Sequence, residues 1–368
     1  MQTTPSLFPG INRLGLVLSG GGSRSAYQIG VLRAFERTFG QDANRFSVVV
    51  GSSLGSINGL LFAAGLKHGI GQALDVLEKL WLERTFRNTF AGSPSRSFIK
   101  AVRVAMLRYH MPGPDATEMA IFNPEPLRIA IDNALSDFGS LHPDRRAPFL
   151  EAVAIMATIE GDTRKPLLIA STKHAIDARM LNGAAFSVTY VDELTAKHGL
   201  ASAALPSVLP PVDLSLRSKQ VKLVDGGICD NVPVDPAMRL GAEALIVIDS
   251  SGRRWWFTHH NKAFDTRPTW EVPAPESTFC IRPMGMAECI NQQALGQLLK
   301  AAVGRSSKDF IQSLGATWPI FKILKHKMGE DFAYEIMSYV ALHPEYARAL
   351  IENGYNEGMA VFKSFIKA

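Results

Sequence analysis

The chain of 368 residues carries 46% apolar and 20% charged side chains, a balance that supports a large packed core and excludes an intrinsically disordered protein. Its formal net charge of +5 comes without any run of lysines or arginines, so the excess suits an anionic membrane surface and gives no sign of a nucleic-acid-binding arm. The three cysteines, Cys229, Cys280 and Cys289, form neither a metal-ligand spacing nor a disulfide framework, which fits a reducing compartment.

The opening stretch, MQTTPSLFPGINR, lacks a charged n-region and an apolar h-region, so no secretory signal is expected and a cytoplasmic location is. Leu14–Ser19 predicts a strand, and Ala26–Phe39, with Ile29, Leu32 and Phe35 at helical spacing, predicts a helix. Ser47–Val50 predicts a buried strand followed by a helix through Leu66. Phe46–Leu66 is long enough to span a membrane, but its centre, GSSLGSING, is turn chemistry, and no span is expected. Further helices are predicted over Gln72–Arg84, over Phe98–Tyr109 with Lys100, Arg103 and Arg108 beside its apolar stripe, and over Pro124–Asp137 with Pro126 in the first turn. Glu151–Thr158, Pro166–Ser171, Val221–Val224 and Ala244–Asp249 complete the strands. Strands alternating with helices point to an α/β architecture with a mainly parallel sheet.

From Gly252 the pattern changes. The stretch rich in Pro, Trp and His has no period, and from Met286 onward the signal is helical. The expected organisation is an α/β domain over 10–252, an irregular connector over 253–285, and a helical subdomain over 286–368 packed on the first.

Three short motifs carry the chemistry. Gly20, Gly21 and Gly22 follow the first strand at an entropic cost, so the backbone there must gain something: a phosphate cradle, or N–H donors aimed at a developing negative charge. Gly51-Ser52-Ser53-Leu54-Gly55 fits G-x-S-x-G between a strand and a helix, where glycines flank a serine held in a sharp turn at a helix N-terminus. Alone, that pentapeptide is also met by glycine-rich turns without chemistry. Asp225-Gly226-Gly227 ends a strand, on the rim where α/β ligand sites form, although Asp–Gly is equally an ordinary turn pair.

Together these motifs resemble the patatin-like phospholipases: a G-G-G-x-[R/K] loop (Gly20 to Arg24), the G-x-S-x-G serine, and a downstream D-G-G aspartate, in the same order. The stretch ASAALPSVLPPV (Ala201–Val212) and the NVPV after the aspartate are also similar, and the likeness runs from about Arg13 to Asp249. Ser25 departs from the pattern, standing where the family usually has glycine.

The resemblance implies a three-layer α/β/α fold and a Ser–Asp dyad. Ser53 would attack the carbonyl of a fatty acyl ester and Asp225 would take its proton, passing through an acyl-enzyme. The oxyanion-hole candidates are the N–H groups of Gly20, Gly21, Gly22 and Leu54, with Arg24 adding charge or fixing the loop; Gly51, Gly55, Gly226 and Gly227 support the motifs. The implied partner is a phospholipid or another acyl ester with peripheral membrane contact; no metal, cofactor or nucleic acid is implied.

Two other readings stand beside this one. A protein that keeps the fold could bind lipid or a partner without turnover. A histidine-dependent α/β-hydrolase would need a base after Asp225, where His259 and His260 stand. Trp255, Trp256, Phe257 and Trp270 fit an acyl channel or, more simply, a loop anchor, and the basic Phe321–Lys327 stretch fits a lipid-facing or a packed helix.

Overall fold

The computed structural model describes residues 10–40, 46–92, 96–100, 120–161, 164–216, 219–251, 278–281, 294–304 and 306–366. Its centre is a pair of strands, β1 (Leu14–Leu18) and β2 (Phe46–Ser52), buried on both faces, as their unbroken apolar runs require. They pair in parallel, Leu16 opposite Val49 and Leu18 opposite Gly51, with the crossover made by α1 (Ala26–Phe39).

Among the described residues seven more strands join the sheet: β3 (Ala152–Ile159), β4 (Lys165–Thr172), β5 (Ser187–Tyr190), β6 (Val212–Leu216), β7 (Lys219–Asp225), β8 (Ala244–Ile248) and β9 (Thr278–Ile281). The spatial order is β5-β4-β3-β2-β1-β8-β9, with β6 and β7 forming an antiparallel pair that docks on β3. The pairs β1–β2, β1–β8, β2–β3, β4–β5 and β8–β9 are parallel.

Alternation along the strands divides the core in two. Leu16, Leu18, Val49, Val153 and Ile155 face one side, covered by α1, α2 (Leu54–Gly65), α3 (Ile70–Leu82), α5 (Glu125–Phe138) and α6 (Ala196–Ser202). The four-residue α4 (Phe86–Thr89) precedes α5 in the chain. Val17, Val48, Val50, Ala154 and Met156 face the other side, where Val234 and Ala237 of α7 (Val234–Arg239) pack. The result is the expected α/β/α sandwich. Helix α2 lies deepest: every residue from Gly55 to Gly65 is buried, so it carries no polar stripe.

The C-terminal helices are α8 (Ala294–Val303), α9 (Ser307–Leu314), α10 (Trp318–Met328), α11 (Glu330–Met337) and α12 (Pro344–Ile366). Helix α12 lies along α1 at close range. A Cβ added to Gly30 would stand 1.9 Å from the Ile351 carbonyl, and one on Gly354 2.1 Å from that of Tyr27. The Phe362 ring meets Phe35 and Phe39 edge-on, and the Tyr27 hydroxyl donates to Glu357 at 2.6 Å. Among the described residues no helix is long and apolar enough to cross a membrane.

The structure departs from the sequence pattern at three short strands. β5 and β6 were not expected, and β9 falls inside 253–285, so that stretch is not irregular throughout: Thr278–Ile281 extends the sheet beside β8. The Phe98–Tyr109 helix beyond Lys100, and Trp255, Trp256, Phe257, Trp270, His259 and His260, lie outside the described residues.

Candidate active site

The register of β3 explains how residues 53 and 225 meet. β4 occupies one edge of β3 along its whole length, Ala152 to Ile159. The other edge is shared: β2 pairs in parallel up to Ser52 opposite Met156, and β7 pairs antiparallel from Asp225 opposite Ala157. The two strands therefore run head-on along one edge and end at consecutive positions. Ser53 Oγ donates to Asp225 Oδ2 at 2.6 Å.

Ser53 sits in a strained turn, with φ 51° and ψ −132°, a left-handed conformation that costs a non-glycine residue about 1–3 kcal/mol. The turn is tight enough to demand its flanking glycines. A Cβ on Gly51 would fall 2.4 Å from the Gly55 carbonyl, and one on Gly55 2.4 Å from the Ser19 carbonyl. The Ser53 N–H donates to Ser202 Oγ at 2.9 Å and its carbonyl accepts from Ser56 N–H at 2.9 Å, so the strain is held from both sides. The hydroxyl emerges at the N-terminus of α2, where unpaired N–H groups favour negative charge.

Asp225 is buried. Its Oδ1 accepts from Gly227 N–H at 2.7 Å, which leaves Oδ2 directed at the serine. Its backbone is fixed as well: the N–H donates to the Ala204 carbonyl at 2.9 Å and the carbonyl accepts from Thr158 Oγ1 at 2.8 Å. Gly226 is obligatory for the fit, since a Cβ there would lie 2.1 Å from the Met156 carbonyl. Burial pushes the carboxyl up to about 6, against the opposing pull of the bonds from Ser53 and Gly227. At neutral pH it is an ionised base far closer to a serine's requirement than an exposed aspartate.

The glycine loop divides into one committed residue and two free ones. Gly20 N–H donates to the Asn231 carbonyl at 3.1 Å, and Asn231 Nδ2 returns a bond to the Gly20 carbonyl at 3.0 Å. Gly20 is thus a clamp, and its N–H is not available to an oxyanion. The N–H groups of Gly21, Gly22 and Leu54 have no acceptor among the described residues. Gly22 has φ 57°, which explains a glycine there. Beneath the loop runs a buried chain of polar groups: Trp81 Nε1 donates to Asn58 Oδ1, Asn58 Nδ2 to Gln28 Oε1, and Gln28 Nε2 to the Ser19 carbonyl, at 2.8–2.9 Å.

Arg24 does not face the serine. Its side chain is fully buried, with Nε donating to Ser338 Oγ at 2.7 Å and Nη2 to the Glu335 carbonyl at 2.7 Å and to Glu335 Oε1 at 2.6 Å. Of the two roles the sequence left open for Arg24, the geometry matches the one that fixes the loop.

Asn231, Ser202 and Thr158 were not singled out in the sequence. Asn231 lies in the NVPV stretch and Ser202 in the ASAALPSVLPPV stretch, so the similarity itself marked both regions. Among the described residues no histidine hydrogen-bonds Ser53 or Asp225. His198, three residues beyond its Thr195 cap, is held down at about 4 by burial and by the Lys197 charge. Cys229 is half-buried, and burial raises its thiol.

Residues 16–238 match a family model described as patatin-like phospholipase. No curated protein matches the chain. Among solved structures, the chain is similar to VipD from Legionella pneumophila, at 13% identity and TM-score 0.38, covering 97% of this chain and 67% of that one. It is also similar to human GIVD cytosolic phospholipase A2, at 10% identity and TM-score 0.41, covering 97% of this chain and 62% of that one. The type III effector ExoU matches over 53% of this chain and 40% of its own, at 18% identity and TM-score 0.25. The chain thus spans about two-thirds or less of the length of each of these three structures.

Proposed function

The chain belongs to the patatin-like phospholipase family, and on the strength of the buried Ser53–Asp225 hydrogen bond we propose that it is a serine acyl hydrolase acting on fatty acyl esters of phospholipids or related lipids. Ser53 Oγ attacks the ester carbonyl carbon while its proton moves to Asp225 Oδ2. The carbonyl π pair becomes an oxyanion, received by the N–H groups of Gly21, Gly22 and Leu54. Collapse of this intermediate expels the alcohol portion of the lipid, which takes the proton from Asp225, and leaves the acyl group on Ser53. Water then attacks the acyl-enzyme with Asp225 again as base, and the fatty acid leaves.

The observation that carries the reading is the pairing of a strained serine with a desolvated carboxylate at 2.6 Å. A structural hydrogen bond would not require a serine at positive φ. The Ser53 residue is buried, with 8% of its surface exposed.

Release of free fatty acid from phospholipid vesicles tests the proposal, with wild type compared against Ser53→Ala and Asp225→Asn. Release by the wild type alone supports it. Equal release by all three proteins, or vesicle binding by the wild type without release, overturns it.

A further inference from the structure

The C-terminal helices reach the glycine loop at Gly22, Ser23 and Arg24, beyond the residue that Asn231 clamps. Ser23 N–H donates to the Tyr339 carbonyl at 2.8 Å, and a Cβ on Gly22 would lie 2.2 Å from that same oxygen. Arg24 Cζ stands 3.6 Å above the centre of the Tyr339 ring, while its nitrogens hold Ser338 and Glu335. Glu335 is anchored in turn, its Oε2 accepting from Gly296 N–H in α8 at 2.9 Å. The Tyr339 hydroxyl donates to the Ser251 carbonyl, and the neighbouring Ser250 N–H donates to Ser19 Oγ at 2.9 Å, at the far end of the same loop. A Cβ on Gly21 would meet Ser250 Oγ at 2.6 Å.

We propose that Glu335, Ser338 and Tyr339 are positioning residues for the oxyanion hole, acting through Arg24 and the Tyr339 carbonyl to hold the Gly21 and Gly22 N–H groups in place; this rests on the acyl-hydrolase reading above. Gly20 is fixed from within the family-matched region, by Asn231. The next residues are fixed by Tyr339, Arg24 and Ser250, and residues 335–339 lie outside the matched 16–238. The charge pattern agrees. A fully buried guanidinium paired with one carboxylate adds little net stability, because desolvation offsets the attraction, yet its forked geometry fixes one arrangement of what it joins. What it joins here is α11 and the residue two positions after Gly22. The C-terminal segment is therefore part of the catalytic apparatus, and loss of its grip on Arg24 would misplace donors without touching Ser53 or Asp225.

The test uses the full chain with Glu335→Ala and Tyr339→Leu, with Tyr339→Phe as the conservative variant that keeps the ring on Arg24. Ser338→Ala, which removes only a hydroxyl that accepts from Arg24 Nε and donates to the Glu335 carbonyl, is the milder variant should the others fold poorly. Two quantities are measured: kcat and KM on a soluble fatty acyl ester, and Ki for a trifluoromethyl ketone bearing the same acyl chain. Ser53 Oγ adds to the ketone carbon, its proton passes to Asp225, and the former carbonyl oxygen becomes an oxyanion in the loop, so Ki reports the hole itself.

Glu335→Ala and Tyr339→Leu are expected to lower kcat about 10- to 100-fold with KM within about twofold, and to raise Ki by the same factor as kcat/KM falls. Ser338→Ala should follow the same line with a smaller shift, and Tyr339→Phe should restore most of both quantities. A fall in kcat with unchanged Ki means only a smaller folded fraction and overturns the proposal, as does unchanged kcat. A wild type that neither hydrolyses esters nor is inhibited by the ketone overturns the acyl-hydrolase reading itself.

Discussion

Replacing Asp225 with asparagine is expected to abolish turnover and strengthen the fold, in a pH-dependent way that the geometry specifies. In the folded chain the carboxyl is held at about 6 by burial, against about 3.9 in an unfolded chain. The folded state therefore binds this proton more tightly than the unfolded state. Stability is lost as pH rises from about 4 to about 6, and the loss is complete above that. At about 1.4 kcal/mol per pH unit, two units amount to roughly 3 kcal/mol at neutral pH. Asparagine mimics the neutral acid: its Oδ1 can still accept from Gly227 N–H, and no charge is buried. Urea unfolding of both proteins between pH 4 and pH 8 isolates the effect, because every other titrating group cancels in the difference. The variant should match the wild type near pH 4 and exceed it by about 3 kcal/mol at pH 7, while hydrolysis falls by a factor of about 10² to 10⁴. A stability difference independent of pH, or one favouring the wild type at pH 7, would refute the claim that a desolvated charge is held at this site.

Further outcomes follow from the same contacts. On a soluble ester, kcat/KM should rise about tenfold per pH unit at low pH and level off above about 6, as Asp225 ionises; a profile flat from pH 4.5 upward would contradict this base. Gly55→Ala should destabilise by at least about 3 kcal/mol, because its Cβ would meet the Ser19 and Leu18 carbonyls at 2.4 and 2.5 Å. Gly59→Ala on the same helix meets Val49 at 3.4 Å, and should be neutral or stabilising by up to about 1 kcal/mol; thermal unfolding distinguishes the pair. His259→Ala and His260→Ala should leave kcat within about twofold of wild type, and loss of turnover in either would restore the histidine-dependent alternative.

The sheet's centre was legible because β1 and β2 are buried on both faces and so read as unbroken apolar runs, with glycine motifs at their ends. The short strands β5, β6 and β9 were not: four or five residues are too few to establish an alternation, β6 directly follows Pro210 and Pro211, and β9 falls within an aperiodic stretch. At the candidate site, the motifs named the candidate residues, but three features needed the three-dimensional register. The meeting of Ser53 and Asp225 depends on β2 and β7 sharing one edge of β3, which no local pattern encodes. The withdrawal of Gly20 as a donor depends on Asn231, 211 positions away. The direction of Arg24 depends on Glu335 and Ser338, more than 300 positions downstream; a basic residue after a glycine triplet is equally compatible with facing the ligand.

Reaction of the wild-type chain with a fluorophosphonate, followed by peptide mass mapping, bears on the nucleophile without a choice of lipid. A Ser53–Asp225 dyad predicts one stoichiometric adduct on Ser53, no adduct in Ser53→Ala, and labelling slowed at least about a hundredfold in Asp225→Asn. An adduct on another residue, or a rate indifferent to Asp225, would contradict it.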